Sequence, residues 1–279
     1  MSGFSPEWLA LREPVDHRSR DAGLARSLAD SLRRHDLVTV VDLGCGSGSN
    51  IRATAPLLGP RQAWTLVDYD PRLLAAARDA LTTWADSATA DGDGLVLSKS
   101  GAAISVAFRE TDLNRDLEAA LASAPDLVTA SAFFDLCSSA FIETFAQAVA
   151  RRRAAFYTVL TYDGIQSWTP EHAADAALLD AFRGHQLTDK GFGASAGWTA
   201  PKVLADAFRR HGYTVSEASS PWVLGPPDAA LIADLARGFA DAAAETGRIP
   251  PADLASWRGI TRHAATVGHT DTLAVPGSG

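Results

Sequence analysis

The 279-residue chain is poor in cysteine, in basic residues and in long apolar runs. Its two cysteines, Cys45 and Cys137, cannot build a disulfide framework, and they fit a reducing compartment. Basic residues number 25 against 33 acidic ones, and the net charge of -8 argues against a nucleic-acid surface, which needs concentrated positive charge. No apolar run approaches the roughly 18 residues of a membrane span, and residues 1–14 lack the pattern of a secretory signal. We therefore expect a cytoplasmic protein whose partners include neither nucleic acid nor membrane.

The sequence also lacks a metal-ligand pattern and internal repeats. Its seven histidines show no close ligand spacing, so we expect no metal centre. An apolar content of 47% over this length favours one large domain with insertions. Nothing in the sequence fixes the oligomeric state, and a homodimer stays open.

What the sequence does contain is a glycine-rich turn after a buried strand. An apolar, β-branched run over 38–41 ends at Asp42. Three glycines on alternate positions follow it: Gly44, Gly46 and Gly48. This pattern predicts a strand, a tight turn that a ligand can approach closely, and then a helix. The spacing differs from that of dinucleotide-binding proteins, because Ser49 stands where their last glycine would fall.

Acidic residues follow the next two strands that we predict. Residues 62–68 form a strand that ends at Asp68, about 20 residues after Gly48, close to the spacing at which such folds place an acid on a ribose diol. Asp70 and its neighbouring proline already begin the following helix, so Asp68 is not needed as its cap. The third strand, over 104–109, leads to Asp112.

This ordered series resembles the class I S-adenosylmethionine-dependent methyltransferases, mainly over residues 37–162. The resemblance implies S-adenosyl-L-methionine as cofactor. It also implies that Asp112 accepts a proton from the adenine amino group, while an N-cap of the next helix is the alternative. The cofactor-binding residues that we predict are Asp42, Gly44, Cys45, Gly46, Gly48, Asn50, Asp68, Tyr69, Asp112, Leu113 and Ser131.

Strand and helix alternate five times over residues 37–162, which predicts a parallel, doubly wound α/β sheet. Two more strands, over 213–218 and 266–275, complete a seven-stranded, mostly parallel, Rossmann-like sheet. In the family that the sequence resembles, the seventh strand is antiparallel. We read residues 86–102 as a surface loop with a short hairpin near 95–97.

The remaining segments surround this sheet. We predict an N-terminal arm and helix over 1–36, with the helix over 16–35. The methyltransferase domain occupies 37–279 and carries helical cap insertions at about 163–198 and 220–265. Five of the seven tryptophans lie outside the predicted sheet, which indicates either small additional cores or aromatic walls of a substrate pocket.

The predicted N-terminal helix is about 30 Å long, against about 20 Å for a six-residue strand. Its first turn therefore reaches the edge of the sheet where ligands bind in such folds. Arg18 and Arg20 become candidates for the methionine carboxylate of the donor, with Arg20 our choice. The alternative is that both arginines are solvated.

Three residues are candidates for a general base: Asp135, His185 and His269. Asp135 follows the fourth strand, which faces the donated methyl group in the family, but an ordinary aspartate is a weak base unless it is desolvated. His185 lies in a predicted flexible loop over 183–197. His269 and Asp271 share one face of the last predicted strand, as a catalytic or a structural pair.

The acceptor is less well defined than the donor. The fourth strand lacks the Asn/Asp-Pro-Pro-Tyr/Phe signature of enzymes that methylate base amines, which disfavours such a substrate. We expect a small-molecule acceptor, contacted by Phe133, Phe134, Tyr162 and Trp198, and methylation on oxygen. Transfer to nitrogen, carbon or a protein side chain, another group transfer from the same donor, and a non-catalytic binding protein are the alternatives. A nicotinamide-dependent oxidoreductase ranks last because the glycine spacing is wrong.

Overall fold

The computed structural model describes residues 4–277. Within this part of the chain the helices are α1 (Pro6–Ser19), α2 (Ala22–Leu32), α3 (Ser49–Thr54), α4 (Pro71–Trp84), α5 (Leu113–Ala120), α6 (Ser139–Arg152), α7 (Asp175–Gln186), α8 (Ala200–Arg210), α9 (Ala229–Glu245) and α10 (Pro251–Arg258). The strands are β1 (Val38–Leu43), β2 (Arg61–Asp68), β3 (Ser87–Asp91), β4 (Gly94–Lys99), β5 (Ala102–Glu110), β6 (Leu127–Ser131), β7 (Ala155–Thr169), β8 (Tyr213–Ser219), β9 (Trp222–Leu224) and β10 (Ala264–Pro276).

All of these strands join one sheet in the order β3-β4-β5-β2-β1-β6-β7-β10-β8, and β9 pairs with β10. Strands β5, β2, β1, β6 and β7 are mutually parallel, whereas β10 runs antiparallel to β7 and β8. The prediction of a mostly parallel, doubly wound α/β sheet is confirmed. Three strands were not among the predicted seven: β3 and β4, which form the hairpin expected near 95–97 and pair with β5 through β4, and the short β9.

The central strands are buried on both faces, as the apolar run of β1 predicts for a parallel sheet. Val38, Val40, Val41 and Leu43 are almost completely excluded from solvent. One hydrophobic core contains residues of α2 and α4, and a second contains residues of α5, α6 and α8. Both cores include residues of the central strands, from whose carboxyl ends the loops of the candidate site begin.

The N-terminal segment is helical over more of its length than we predicted. Ser5 caps α1, its Oγ accepting a hydrogen bond from the backbone amide of Trp8 at 3.2 Å. The chain is extended at Arg20, and the carboxylate of Asp21 then caps α2 by accepting from the amide of Leu24 at 2.7 Å. Two helices therefore replace the predicted arm and single helix, and residues 1–3 of that arm lie outside the described part.

The chain after Tyr162 also differs from the prediction. Strand β7 continues to Thr169, paired with β10, so the predicted insertion at 163–198 begins as a strand. Helix α7 extends to Gln186, which places His185 in its last turn and not in a flexible loop. Trp168 and Trp257 lie 5.5 Å apart and pack on Phe239, which makes them part of a small core. In the described residues, no helix is long and apolar enough to cross a membrane.

Candidate functional site

The glycine-rich turn between β1 and α3 adopts a backbone conformation that requires glycine. Gly44, Gly46 and Gly48 have φ angles of 60°, 54° and 74°, in the left-handed region. The amide of Cys45 donates to the carbonyl of Val67 at 3.0 Å, which ties the turn to β2. The turn therefore lies at the carboxyl edge of the sheet, next to the ends of β1 and β2.

Asp68 holds this turn from the end of β2. Its carboxylate accepts hydrogen bonds from the amides of Gly46 at 2.9 Å and Asp70 at 3.0 Å. Burial raises the pKa of Asp68, and these two amides oppose the shift. Asp70 caps α4 through the amide of Arg72 at 2.9 Å, as the sequence predicts. The neighbouring Tyr69 is exposed.

Asp42 lies beneath the turn in a buried polar network. Its Oδ1 accepts a hydrogen bond from the side-chain Nδ2 of Asn50 at 2.6 Å, and the same nitrogen also donates to Thr129 Oγ1 at 3.1 Å. Asp42 Oδ2 is buried without a partner. Burial raises the pKa of Asp42 to about 7, against the opposing effects of Asn50 and Arg20. The side chain of Asn50 is therefore engaged within this network, and Asp42 Oδ2 is the atom of Asp42 that lacks a hydrogen-bond partner.

Arg20 lies at the end of α1, near this network. Its Nη1 donates to Thr54 at 3.0 Å, while Nε and Nη2 are buried without partners. Burial lowers the pKa of Arg20, and the negative charges of Asp16, Asp271 and Asp42 oppose that effect. Arg18, the other candidate, instead donates to the carboxylate of Asp228 at 2.7 Å.

Two apolar side chains cover the glycine turn. A Cβ atom built on Gly44 would approach the ring of Phe133 to 2.6 Å, and one on Gly46 would approach Leu9 Cδ1 to 3.0 Å. Phe133 itself packs edge-on against Phe192, with ring centroids 5.5 Å apart. Leu9 and Phe133 therefore lie against the side of the turn on which a Cβ atom would project.

Asp135 lies in the turn that follows β6, and its environment supplies the desolvation that a base would need. It is buried, and its Oδ1 has no hydrogen-bond partner. Burial raises its pKa to about 6, partly opposed by the positive charge of Arg12. The adjacent Phe134 is fully buried in the core, 4.8 Å from the ring of Phe145, which corrects its prediction as a substrate contact.

A row of rings crosses three adjacent strands, and one of these rings, Tyr162, is close enough to feel the charge of Asp135. Tyr162 on β7 lies opposite His269 on β10 with ring centroids 6.4 Å apart, and Trp222 on β9 lies 5.1 Å from His269. The guanidinium of Arg12 sits 4.9 Å from the centroid of Trp222 and pairs with Asp16 at 2.8 Å. Burial and the negative charges of Asp163 and Asp135 raise the pKa of Tyr162. We call Arg12, Trp222, His269 and Tyr162 the aromatic strip.

His269 and Asp271 do not form the pair that the sequence allowed. Asp271 Oδ1 accepts from the amide of Leu160 at 2.8 Å and from Ser220 Oγ at 2.6 Å. Its Oδ2 accepts from the amide of Asp21 at 2.9 Å, so it connects β10 with β7, β8 and α2. A register shift between Thr270 and Thr272 accompanies this arrangement. Burial and Arg12 lower the pKa of His269 to about 3, so its ring is neutral near pH 7.

Several predicted residues lie in other settings. His185 pairs with Glu245 at 3.0 Å, between α7 and α9. Asp112 caps α5 through the amide of Asn114 at 3.0 Å, as its structural alternative predicts. Trp198 is 41% exposed and lies beside Arg183. Leu113 is buried in the second core, and Ser131 is half-buried at the end of β6.

Arg12 and Trp222 are the site residues that sequence reasoning missed. Arg12 and Asp16 stand four residues apart, the spacing of an ion pair on a helix, but that signal needs a helix that begins at Pro6. Trp222 was visible only as one of several tryptophans in a presumed insertion. No group of three or more metal-ligating side chains occurs among residues 4–277.

Comparisons with known proteins show which solved structures share this fold. No model of a protein family and no curated protein matches the chain. A cyclopropane-fatty-acyl-phospholipid synthase-like protein from Lactobacillus casei matches over 94% of this chain and 91% of its own, with 15% identity and a TM-score of 0.55. A candidate methyltransferase from Bacillus halodurans matches over 92% of this chain and 99% of its own, with 11% identity and a TM-score of 0.52. The YcgJ protein of Bacillus subtilis matches over 92% of this chain and 100% of its own, with 12% identity and a TM-score of 0.50. The chain thus has the fold of class I S-adenosylmethionine-dependent methyltransferases.

Proposed function

We propose that the protein transfers a methyl group from S-adenosyl-L-methionine to a hydroxyl oxygen of a small-molecule acceptor. One observation carries this proposal: the glycine turn held by Asp68 and the desolvated carboxyl of Asp135 follow the neighbouring parallel strands β1 and β6, at the same edge of the sheet. In open α/β sheets this is the edge where ligands bind. The fold and the topology support the same assignment.

The residues around the turn fit a methyl donor with a ribose and an amino-acid end. Asp68 is the candidate for the ribose hydroxyls, because its carboxylate is fixed at the end of β2 by two backbone amides. The free Nε and Nη2 of Arg20 suit the donor's carboxylate, and the free Oδ2 of Asp42 suits its ammonium group. When bound, the donor supplies an electrophilic methyl group next to a positively charged sulfur.

Asp135 is the general base in this proposal. A base has to be ionised at neutral pH, and a carboxyl with a pKa of about 6 is ionised there while being a stronger base than an ordinary aspartate. His269 is neutral but too weak a base, because its pKa is about 3. His185 is engaged with Glu245 and plays no part in the proposed reaction.

The protein side chains also orient the acceptor. Methyl transfer is an in-line displacement, so much of the catalysis comes from holding the reacting atoms about 3 to 3.5 Å apart. Our candidates for acceptor contacts are Phe133, two residues before Asp135, and Tyr162, whose pKa is raised by burial and in part by the charge of Asp135. Trp198 is a candidate at the more exposed side, where it lies over Gly164.

Calorimetry with S-adenosylmethionine and its demethylated product, S-adenosylhomocysteine, tests the donor site directly. We expect both to bind the wild-type chain, and Asp68→Asn to weaken binding roughly tenfold or more, the loss of a charge-assisted hydrogen-bonding group. Asp253→Asn, an exposed substitution on α10, is the matched control and should bind as the wild type does. Absence of binding at millimolar ligand would refute the proposal.

Turnover is tested separately by incubating the protein and donor with a metabolite extract and searching by mass spectrometry for a gain of about 14 Da, one CH2 group. Product on a hydroxyl supports the assignment of the acceptor atom. Product on nitrogen or carbon would replace that assignment while keeping the donor. Donor binding without any product would favour a non-catalytic binding protein.

A further inference from the structure

The aromatic strip continues at its far end into a fifth side chain. Phe182 of α7 lies 5.8 Å from Tyr162 in an edge-to-face arrangement. The strip therefore runs without a break from Arg12 through three rings to Phe182. The three rings between Arg12 and Phe182 are buried. Rings pair favourably with other rings in edge-to-face or offset geometry, so a ligand that enters this row is favoured to be a flat aromatic molecule over an alkyl chain.

Polar atoms along the strip are buried without hydrogen-bond partners. These atoms are Tyr162 Oη, Trp222 Nε1, His269 Nδ1 and Asp135 Oδ1. Native interiors leave few such atoms, and a cluster of them beside a candidate site indicates that a ligand completes their hydrogen bonds. The indole N–H can only donate and the ionised carboxylate can only accept, so the ligand has to bring both an acceptor and a donor.

The basicity of Asp135 restricts which kind of hydroxyl the ligand can place beside it. A phenol-type hydroxyl has a pKa near 10, as tyrosine does, whereas that of an aliphatic hydroxyl is close to the value of about 15.7 for water. Proton transfer to a carboxyl with a pKa of about 6 is unfavourable by roughly ten-thousand-fold from a phenolic hydroxyl. From an aliphatic hydroxyl it is unfavourable by roughly ten-billion-fold. Asp135 is thus matched to a ring hydroxyl and not to an alcohol.

Arg12 disfavours a cationic acceptor. It occupies the cation-π position over Trp222, at 4.9 Å, and its positive charge reaches both Asp135 and His269. An ammonium group on the strip would meet an occupied ring face and a like charge. The same guanidinium suits an oxygen atom of the ligand, because its Nη1 takes no part in the two hydrogen bonds to Asp16.

Resting on the proposed function, we infer that the acceptor is a small aromatic molecule with a ring hydroxyl, which lies along the aromatic strip with that hydroxyl at Asp135. Asp135 takes the hydroxyl proton, and a lone pair of the oxygen forms the bond to the donor's methyl carbon. The carbon-sulfur bond breaks, and its electron pair remains on sulfur. The products are an aryl methyl ether and S-adenosylhomocysteine.

Matched acceptors test this inference in the full-length protein with radiolabelled S-adenosylmethionine. The probes are 4-hydroxybenzoate, phenol and catechol, each paired with its saturated alcohol, and 4-aminobenzoate as the amine. We expect methyl transfer to at least one phenolic probe at a rate 100-fold or more above its saturated partner. Asp135→Asn should lower that rate 100-fold or more and leave the affinity for S-adenosylhomocysteine within threefold.

Binding to the complex with S-adenosylhomocysteine gives a readout that does not depend on turnover. We expect phenolic probes to change the tryptophan fluorescence, and Trp222→Phe to remove most of the change. Trp84→Phe, on α4 away from the strip, is the control and should retain it. Methylation of an alcohol or amine at an equal or higher rate, or neither binding nor turnover of any phenolic probe, would overturn the inference. Because each assay first measures S-adenosylhomocysteine binding, loss of the donor site is recognised as failure of the proposed function instead.

Discussion

At the scale of single residues, burial changes the chemistry of Asp135 and His269 in opposite directions. Desolvation disfavours the charged form of each, so the pKa of the carboxyl rises to about 6 and that of the imidazole falls to about 3. The carboxylate therefore becomes the stronger base of the two. A histidine and an aspartate on one sheet edge thus exchange the roles that their ordinary pKa values would assign.

This exchange predicts the pH dependence of activity. The base has to be ionised, so at saturating donor we expect kcat/KM for the acceptor to rise as the pH increases through about 6 and to level off above it. His269→Gln should keep this inflection, because the pKa of His269 lies well below the range. An inflection near pH 6 that persists in Asp135→Asn would show that another group is the base.

At the scale of secondary structure, α1 covers part of the candidate site. Its Leu9 covers Gly46, while its Arg12 reaches Trp222. Glu13 pairs with Arg52 of α3, and His17 lies 3.0 Å from Ser49 Oγ. One helix therefore contacts both the glycine turn and the aromatic strip, and its position decides access to both.

The position of α1 predicts that Leu9 opposes donor binding. Leu9→Ala should lower the free energy of unfolding by about 1–2 kcal/mol, since the side chain is half-buried, yet bind S-adenosylhomocysteine a few-fold more tightly. Leu11→Ala, on the same helix and packed on the core, should lose stability without any gain in affinity. Calorimetry and urea unfolding provide the two measurements. Weaker binding in Leu9→Ala would indicate that Leu9 is a donor contact.

Amide hydrogen exchange across Pro6–Ser19 gives an independent measure of the same movement. We expect S-adenosylhomocysteine to change the exchange rates of α1, and to leave those of the distant β3–β4 hairpin as they are.

At the scale of the whole molecule, several buried carboxyls make stability depend on pH. The pKa of Asp42 is raised by burial from 3.8 to about 7. Between these values the unfolded chain has lost a proton that the folded chain keeps, so the free energy of unfolding decreases as the pH rises. The limiting slope for one such group is about 1.4 kcal/mol per pH unit. Burial also raises the pKa values of Asp68, Asp135 and Asp271, which contribute in the same direction.

Asp42→Asn removes the contribution of Asp42 to the pH dependence of the free energy of unfolding. Between pH 5 and pH 8 we expect the free energy of unfolding of the variant to fall by about 1–3 kcal/mol less than that of the wild type. Urea unfolding at both pH values measures the difference, with exposed Asp253→Asn as the control. A wild-type pH dependence in the variant would contradict the assigned shift. If Asp42 also holds the donor's ammonium group, the variant binds S-adenosylhomocysteine more weakly than the wild type does, whatever its stability at pH 8.

The sequence by itself determined the parallel sheet, the glycine turn and the acidic end of β2, because these depend on local patterns: apolar runs, glycine spacing and helix caps. It also singled out Asp135, whose place after β6 follows from strand order. Only the tertiary structure decided which charges are buried and which rings meet. Asp271 bonds to β7 and to the start of α2 and not to His269, and Phe134 lies in the core. Arg12 and Trp222 are in contact although they stand 210 residues apart in the chain. Desolvation and cross-strand packing arise from neighbours distant in sequence, so no local pattern encodes them.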